Sequence, residues 1–177
     1  LECSPIIHEE LGDPIDIHTG GIDHIPVHHT NEIAQSQAAY GHDLAKYWLH
    51  CHFINIDGQK ISKSLGNVYT LADLEARGFS PMDFKMWVLE GNYQGERNFT
   101  FESLEASKNR RLAWRNKIAA ARQFKGSILF ETPQFEFSLL KSLGDNLNSA
   151  EAFAKIDQHD KLPLDAAEII DKLFGLN

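Results

Sequence analysis

The stretch Ile15-Asp16-Ile17-His18 alternates apolar and polar residues and then runs through Thr19 into Gly20-Gly21, so a short strand ends in a double glycine. Two residues without Cβ let the backbone approach another group where any side chain would clash. Asp23 follows with a carboxylate. At the carboxyl end of a strand in an α/β sheet, this arrangement suits a nucleotide ribose, with Asp23 accepting from its hydroxyls. An ordinary strand-ending turn is the alternative reading of the same residues.

Downstream, His28 and Glu32 stand four residues apart at the start of a helical pattern through Asn31–Ser36. On a helix they project from one face, one turn apart. Cys3 is placed to add a thiolate. Zn²⁺ accepts sulfur, nitrogen and oxygen donors, and a mixed set with room for an exogenous ligand is typical of a working site. A His/Glu pair at this spacing also serves as a plain surface contact.

A third chemistry-bearing stretch is Lys60-Ile61-Ser62-Lys63-Ser64-Leu65-Gly66-Asn67, just after the turn dipeptide Asp57-Gly58. Two ammonium groups with the Ser62 hydroxyl between them and that of Ser64 just after suit a polyphosphate. They would stabilise charge moving onto pyrophosphate as it leaves.

Taken in order, Glu2-Cys3-Ser4, Asp16 to Asp23, His28 to Ser36 and the lysine loop resemble the cysteinyl-tRNA synthetases, class I aminoacyl-tRNA synthetases. Gly144 to Ala152 resembles a segment of that family's helical domain. The resemblance implies an α/β fold: the C-terminal half of a Rossmann-like catalytic domain followed by an α-helical bundle. The expected segments are 1–68 for the second half of the catalytic domain, 69–98 for a connecting helical region and 99–177 for the bundle.

The same resemblance implies a zinc ion bound by Cys3, His28 and Glu32, with a fourth ligand expected upstream of residue 1. It implies that Lys60 and Lys63 are the catalytic signature lysines, with Lys63 on the ATP phosphates. Gly21 and Asp23 lie on the ribose side of ATP, and His18 lines the amino-acid pocket. Expected partners are cysteine, ATP with Mg²⁺, and tRNA(Cys), in a cytoplasmic monomer. Zinc explains the selectivity, because a soft metal takes thiolate far better than the neutral hydroxyl of serine. The family's His-Ile-Gly-His signature is absent; His24-Ile25-Pro26-Val27-His28 echoes it, but Pro26 stands where glycine is required. The chain is therefore expected to be a fragment that is inactive alone. A mycothiol-type cysteine ligase and a noncatalytic zinc-binding paralogue are the alternatives.

A length of 177 residues and a net charge of −8 agree with a piece of a larger soluble protein and give no overall nucleic-acid-binding surface. Lys108, Arg111, Arg115 and Arg122 fall near one stripe of a helix opened by Thr100 and offer a local basic patch that could follow a tRNA backbone, though a solvated helix face is the favoured reading of that row. No apolar run reaches membrane-spanning length. Two cysteines without framework spacing point to a reducing compartment, and Cys51, in the strand pattern Tyr47–Ile56, reads as core. Thr70 with Asp73 and Ser80-Pro81 with Asp83 mark helix starts. The second helix carries Met86, Val88 and Leu89 inward, and the long one carries Leu104, Leu112, Trp114 and Ile118. Gly126 to Pro133 reads as a linker ahead of three short helices, at Phe137–Leu143, Ala150–Gln158 and Leu164–Phe174.

Overall fold

The alternating stretch forms β1 (Ile15–Gly21), which pairs in parallel with β2 (Ala45–Cys51) in a register from Ile15 opposite Ala45 to Gly21 opposite Cys51. Parallel neighbours need a crossover, and here it is α2 (Thr30–Tyr40), closed by Gly41 in the left-handed conformation. A further helix, α1 (Cys3–Leu11), precedes β1. The computed structural model describes residues 2–124 and 129–176, with the Lys63 side chain outside the described set.

Two compact units emerge: residues 1–54 with Tyr93–Arg97, and residues 55–92 with 98–177. They divide the chain differently from the three segments expected at 1–68, 69–98 and 99–177. The single strand expected over Tyr47–Ile56 is interrupted. β2 stops at Cys51, His52 N donates to Tyr93 O (2.8 Å), and β3 (Ile54–Ile56) starts after Phe53.

β3 is followed by the tight turn Asp57-Gly58 and β4 (Gln59–Lys60), antiparallel with Asn55 opposite Lys60. Both turn residues have positive φ, 49° and 74°, as a two-residue hairpin with the native twist requires. β5 (Arg97–Phe99) completes a three-stranded sheet in the order β4–β3–β5.

Helix starts follow local sequence closely. Thr70, Ser80 and Thr100 each close a reciprocal capping box, opening α3 (Leu71–Ala76), α4 (Pro81–Leu89) and α5 (Phe101–Gln123). α6 (Thr132–Gly144), α7 (Ser149–Asp157) and α8 (Leu164–Phe174) follow. Of the expected linker at 126–133, residues 126–128 lie outside the described set and Thr132 already belongs to α6. One core joins Met86, Trp114, Ile118, Leu139, Phe153, Ile156, Ile170 and Phe174 from α4 to α8.

Two expected core positions are exposed, Val88 and Leu112, because the apolar stripes of α4 and α5 are narrower than a sequence count of apolar residues implies. Cys51 is exposed as well. It ends β2 opposite Gly21, which has no side chain to cover it, and Ile17 and Tyr47 are also uncovered.

The basic row of α5 is mostly committed to internal partners. Arg111 is buried, its Nε donating to Asp83 Oδ1 at 2.7 Å. Lys108 reaches Glu105 and the carbonyl of Gly78, and Arg122 pairs with Asp171.

Asp83 does two jobs, because its other oxygen accepts from Ser80 N at 2.7 Å and so caps α4. Burial alone would raise this carboxyl, but the Ser80 N–H and Arg111 outweigh it and hold it below its ordinary value. Asp83→Ala strands a buried guanidinium and removes the cap, and a loss of about 3–5 kcal/mol is expected in urea unfolding. A carboxyl with a lowered folded-state pKa contributes stability that is complete above its unfolded value, near 3.9, and disappears as pH falls through the folded value. The advantage of the wild type over Asp83→Asn should therefore hold from neutral pH down to about 4 and shrink below it; a gap unchanged at lower pH would contradict the assignment.

Candidate metal centre

Beyond Gly21 the chain makes a 3₁₀ turn at Ile22–His24 and then a π-helical turn at Ile25–His29 that flows directly into α2. Pro26 lies in the first turn of that π segment, where a missing N–H is tolerated. The wide turn separates two adjacent histidines: the His28 side chain is half exposed, whereas that of His29 is buried. Such single π turns recur at functional sites.

Glu32, one turn into α2, is buried, and its two oxygens have different surroundings. Oε2 accepts a hydrogen bond from His18 Nε2 at 2.9 Å, with His29 Nε2 at 4.0 Å. Oε1 lies 3.3 Å from His28 Nε2 yet accepts no hydrogen bond among the described residues. Donor atoms of Cys3, His28 and Glu32 all lie within 4.8 Å of one another.

The donor chemistry fits a metal. Thiol sulfur, imidazole nitrogen and carboxylate oxygen converge where a buried oxygen lacks a donor, and that combination suits Zn²⁺. His18, His29 and Glu32 form a second cluster of the same compactness. There, however, His18 already satisfies Oε2, and His29 Nδ1 shares a 2.8 Å hydrogen bond with His50 Nε2. The second cluster is a hydrogen-bonded brace behind Glu32. Burial lowers the His29 imidazole, with His18 acting in the same direction against the pull of Glu32, so this ring is kept neutral.

The double glycine makes room for this brace. A Cβ at Gly20 would stand 2.5 Å from His29 Cε1, 2.8 Å from His29 Nε2 and 2.9 Å from His24 Nδ1, and one at Gly21 would collide with Asp23 Oδ1. Trp48 packs edge-on to His18 at 4.8 Å and lies 5.0 Å from the His29 ring. Sequence reading did not single out His29, Trp48 or His50. The signal was present, since Trp48 and His50 alternate along β2 and pair in register with His18 and Gly20, so all four positions share one face.

Cys3, Asp23, Val27, His28, Asn31, Glu32 and Gln35 line a cleft of about 230 Å³. The structure thus brings the three expected metal ligands together, with His18 on the far oxygen of Glu32 and Asp23 in the same cleft. Lys60 belongs to the other unit, at the end of β4, and is exposed. The Lys63 side chain is outside the described residues. Their loop is not slack: Asn67 Oδ1 accepts from Ser62 N (2.8 Å) and Asn67 Nδ2 donates to Lys60 O (3.1 Å), with Gly66 at φ 67°.

Gly20→Ala tests this packing directly. Its Cβ must displace two rings, and a loss of about 1–3 kcal/mol is expected in denaturant unfolding. Wild-type stability in that variant would mean that His29 and His24 are not held where the structure has them.

Residues 1–109 match the family model described as tRNA synthetases class I (C) catalytic domain. The cysteine–tRNA ligase of Prochlorococcus marinus (strain MIT 9301) is 40% identical over 176 residues, covering 88% of this chain and 35% of that protein. That of Synechococcus elongatus is 50% identical over 110 residues, 62% of this chain and 23% of the relative. The chain spans about a third or less of the length of these curated relatives. Among solved structures, methionyl-tRNA synthetase of Mycobacterium tuberculosis in complex with methionyl-adenylate aligns with a TM-score of 0.60 at 18% identity, covering 97% of this chain and 35% of that one. The LeuRS of Agrobacterium radiobacter K84, in ternary complex with tRNA and LeuAMS, aligns at 0.62 and 14% identity, covering 93% and 26%. These two likenesses concern the fold. All the candidate site residues fall within the matched segment, and the chain belongs to the family of class I tRNA synthetase (C) catalytic domains.

Proposed function

We propose that this chain is part of a cysteine–tRNA ligase, in which ATP and cysteine give cysteinyl-adenylate and pyrophosphate before the cysteinyl group passes to tRNA(Cys). The observation that carries this reading is the convergence of Cys3, His28 and the bare Oε1 of Glu32 on one point. Two ligases of that name at 40% and 50% identity support it. Cys3, His28 and Glu32 would hold zinc, which when bound supplies a soft Lewis acid that selects the substrate thiolate over a hydroxyl.

The remaining roles belong to the chain's own side chains. His18 and His29 keep the Glu32 carboxylate turned so that Oε1 faces Cys3 and His28. Asp23 accepts from the ribose hydroxyls of ATP, and Gly21 leaves the space that its carboxylate occupies. Lys60 and Lys63 stabilise the charge that builds on pyrophosphate as the carboxylate of cysteine attacks the α-phosphate, with Mg²⁺ accompanying the nucleotide. Residues 1–68 supply this chemistry, 69–98 connect, and 99–177 form a helical bundle domain; the unit is monomeric and cytoplasmic.

Zinc per chain, measured by elemental analysis, tests the carrying observation. About one equivalent is expected, falling sharply in His28→Ala; zinc undiminished in that variant would remove the trio from the role. Three of the four protein donors implied by the resemblance are present, so cysteine-dependent ATP–pyrophosphate exchange by the 177 residues alone should fall below detection. In a complete ligase, Lys63→Ala should slow that exchange by about tenfold or more, and an unchanged rate would relieve Lys63 of its assignment.

A further inference from the structure

We propose that a second side-chain cluster, Asp13 with His8, Tyr40 and His42, positions Cys3 for metal binding from the opposite end of α1. This inference rests on the metal reading of Cys3, His28 and Glu32 and adds residues that touch neither the metal point nor the cleft.

The three donors are attached to the fold very unequally. Glu32 is buried in α2 and hydrogen-bonded by His18, and His28 lies one turn before it on the same continuous helical run. Cys3 is exposed and opens α1, a nine-residue helix with a single buried residue, Ser4. Of the large apolar groups of that helix, Ile6 and Leu11 are 59% and 73% exposed and Ile7 is half-buried. Ile7 alone supplies little apolar burial, so the placement of α1 rests largely on two side-chain ties.

One tie is close to the metal point, where Ser4 Oγ donates to Gln35 Oε1 of α2 at 3.0 Å. The other lies past mid-helix. The His8 ring stacks on Tyr40, the last residue of α2, with 3.8 Å between centroids and 9° between planes. His8 Nδ1 also donates to Asp13 Oδ1 at 2.8 Å, and His42 Nε2 meets the same oxygen at 3.3 Å while its ring lies near-parallel to Tyr40. The Asp13 side chain is only 2% exposed, and its Oδ2 has no hydrogen-bond partner among the described residues. Among the described residues its partners are the two histidines, both on Oδ1. Removing either leaves a buried charge with half its partners.

Leverage makes the distant tie matter. Five residues separate His8 from Cys3, about 7.5 Å along a helix axis. Released at His8, α1 keeps the Ser4–Gln35 tie, and a swing of about 20° about that tie moves Cys3, one residue away, by about 0.5 Å. Metal–donor distances are held to about 0.2 Å. Cys3 thus leaves the coordination sphere long before α1 leaves the fold. Asp13, His8, Tyr40 and His42 are positioning residues that act through α1.

Cobalt(II) titration of the 177-residue chain tests this, reading the dissociation constant together with the thiolate-to-cobalt charge-transfer band that reports Cys3 in the coordination sphere. The wild type should bind about one equivalent with the band, and Cys3→Ser should lack the band. Tyr40→Ala and the milder His8→Ala should each weaken binding by about tenfold or more and lose band intensity, in the range expected for groups that orient a ligand. Tyr40→Phe, which keeps the stacked ring, should restore both. Alkylation of the exposed Cys51 at the wild-type rate would show that the change is local. Wild-type affinity and band in His8→Ala and Tyr40→Ala, with the band still lost in Cys3→Ser, would overturn the positioning role and leave the proposed function standing. A wild type without the band, or a band that survives Cys3→Ser, would defeat both.

Discussion

A single buried carboxylate organises the first unit. Taking Glu32 out of water costs several kcal/mol unless both oxygens are compensated. His18 compensates one, and the other is left bare beside Cys3 and His28. Most of the surrounding geometry serves this division. The parallel register of β1 and β2 sets His18 opposite Trp48 and Gly20 opposite His50. The absence of a side chain at Gly20 admits the His29 ring, and the π turn sends His28 and His29 to different environments. A brace built around the His29 ring, whose pKa burial lowers, suits the task, because it holds a carboxylate in place without adding a charge there.

How much of this could be read from sequence depended on the range of the interactions involved. The helix caps at Thr70, Ser80 and Thr100 and the Asp57-Gly58 hairpin were legible, because each is decided within four residues. The grouping of Cys3 with His28 and Glu32 was legible through the family resemblance, while spacing alone left the His28/Glu32 pair open to a surface contact. Arg111 was misplaced in a basic stripe because its partner, Asp83, lies on another helix. Cys51 was misread as core because its exposure depends on what covers the β1–β2 pair, which no local pattern encodes. His29 was overlooked because its role follows from the space left at Gly20, a relation between residues nine apart that neither helical nor strand periodicity displays.

The lysine loop and the candidate metal centre are held together in different ways. The loop carries two lysines, and one side chain, Asn67, makes two hydrogen bonds to its backbone beside the turn bond from Leu65 N to Ser62 O. An amide can donate and accept at once, so one residue closes the loop without adding charge that would compete with a phosphate. The metal centre instead gathers donors from α1, the π turn and α2, each with its own attachment to the core. Rigidity in the loop is local, whereas rigidity at the centre is shared among elements.

That sharing has a thermodynamic consequence. Where a ligand sits on a weakly anchored helix, part of the metal-binding free energy is spent in fixing that helix, and the intrinsic affinity of the donor set is reduced accordingly. The coupling is reciprocal, so whatever holds α1 against α2 would tighten a bound metal, and a bound metal would hold α1. His28 and Glu32 gain little from such coupling, since both already belong to one continuous helical run braced by His18. The variable donor is Cys3. It is also the softest of the three, and therefore the one that most favours zinc over harder cations. On the proposed metal reading, selectivity for the metal and placement of α1 would be linked through one thiol, with the stack of His8 on Tyr40 above a buried Asp13 as the contact behind that link.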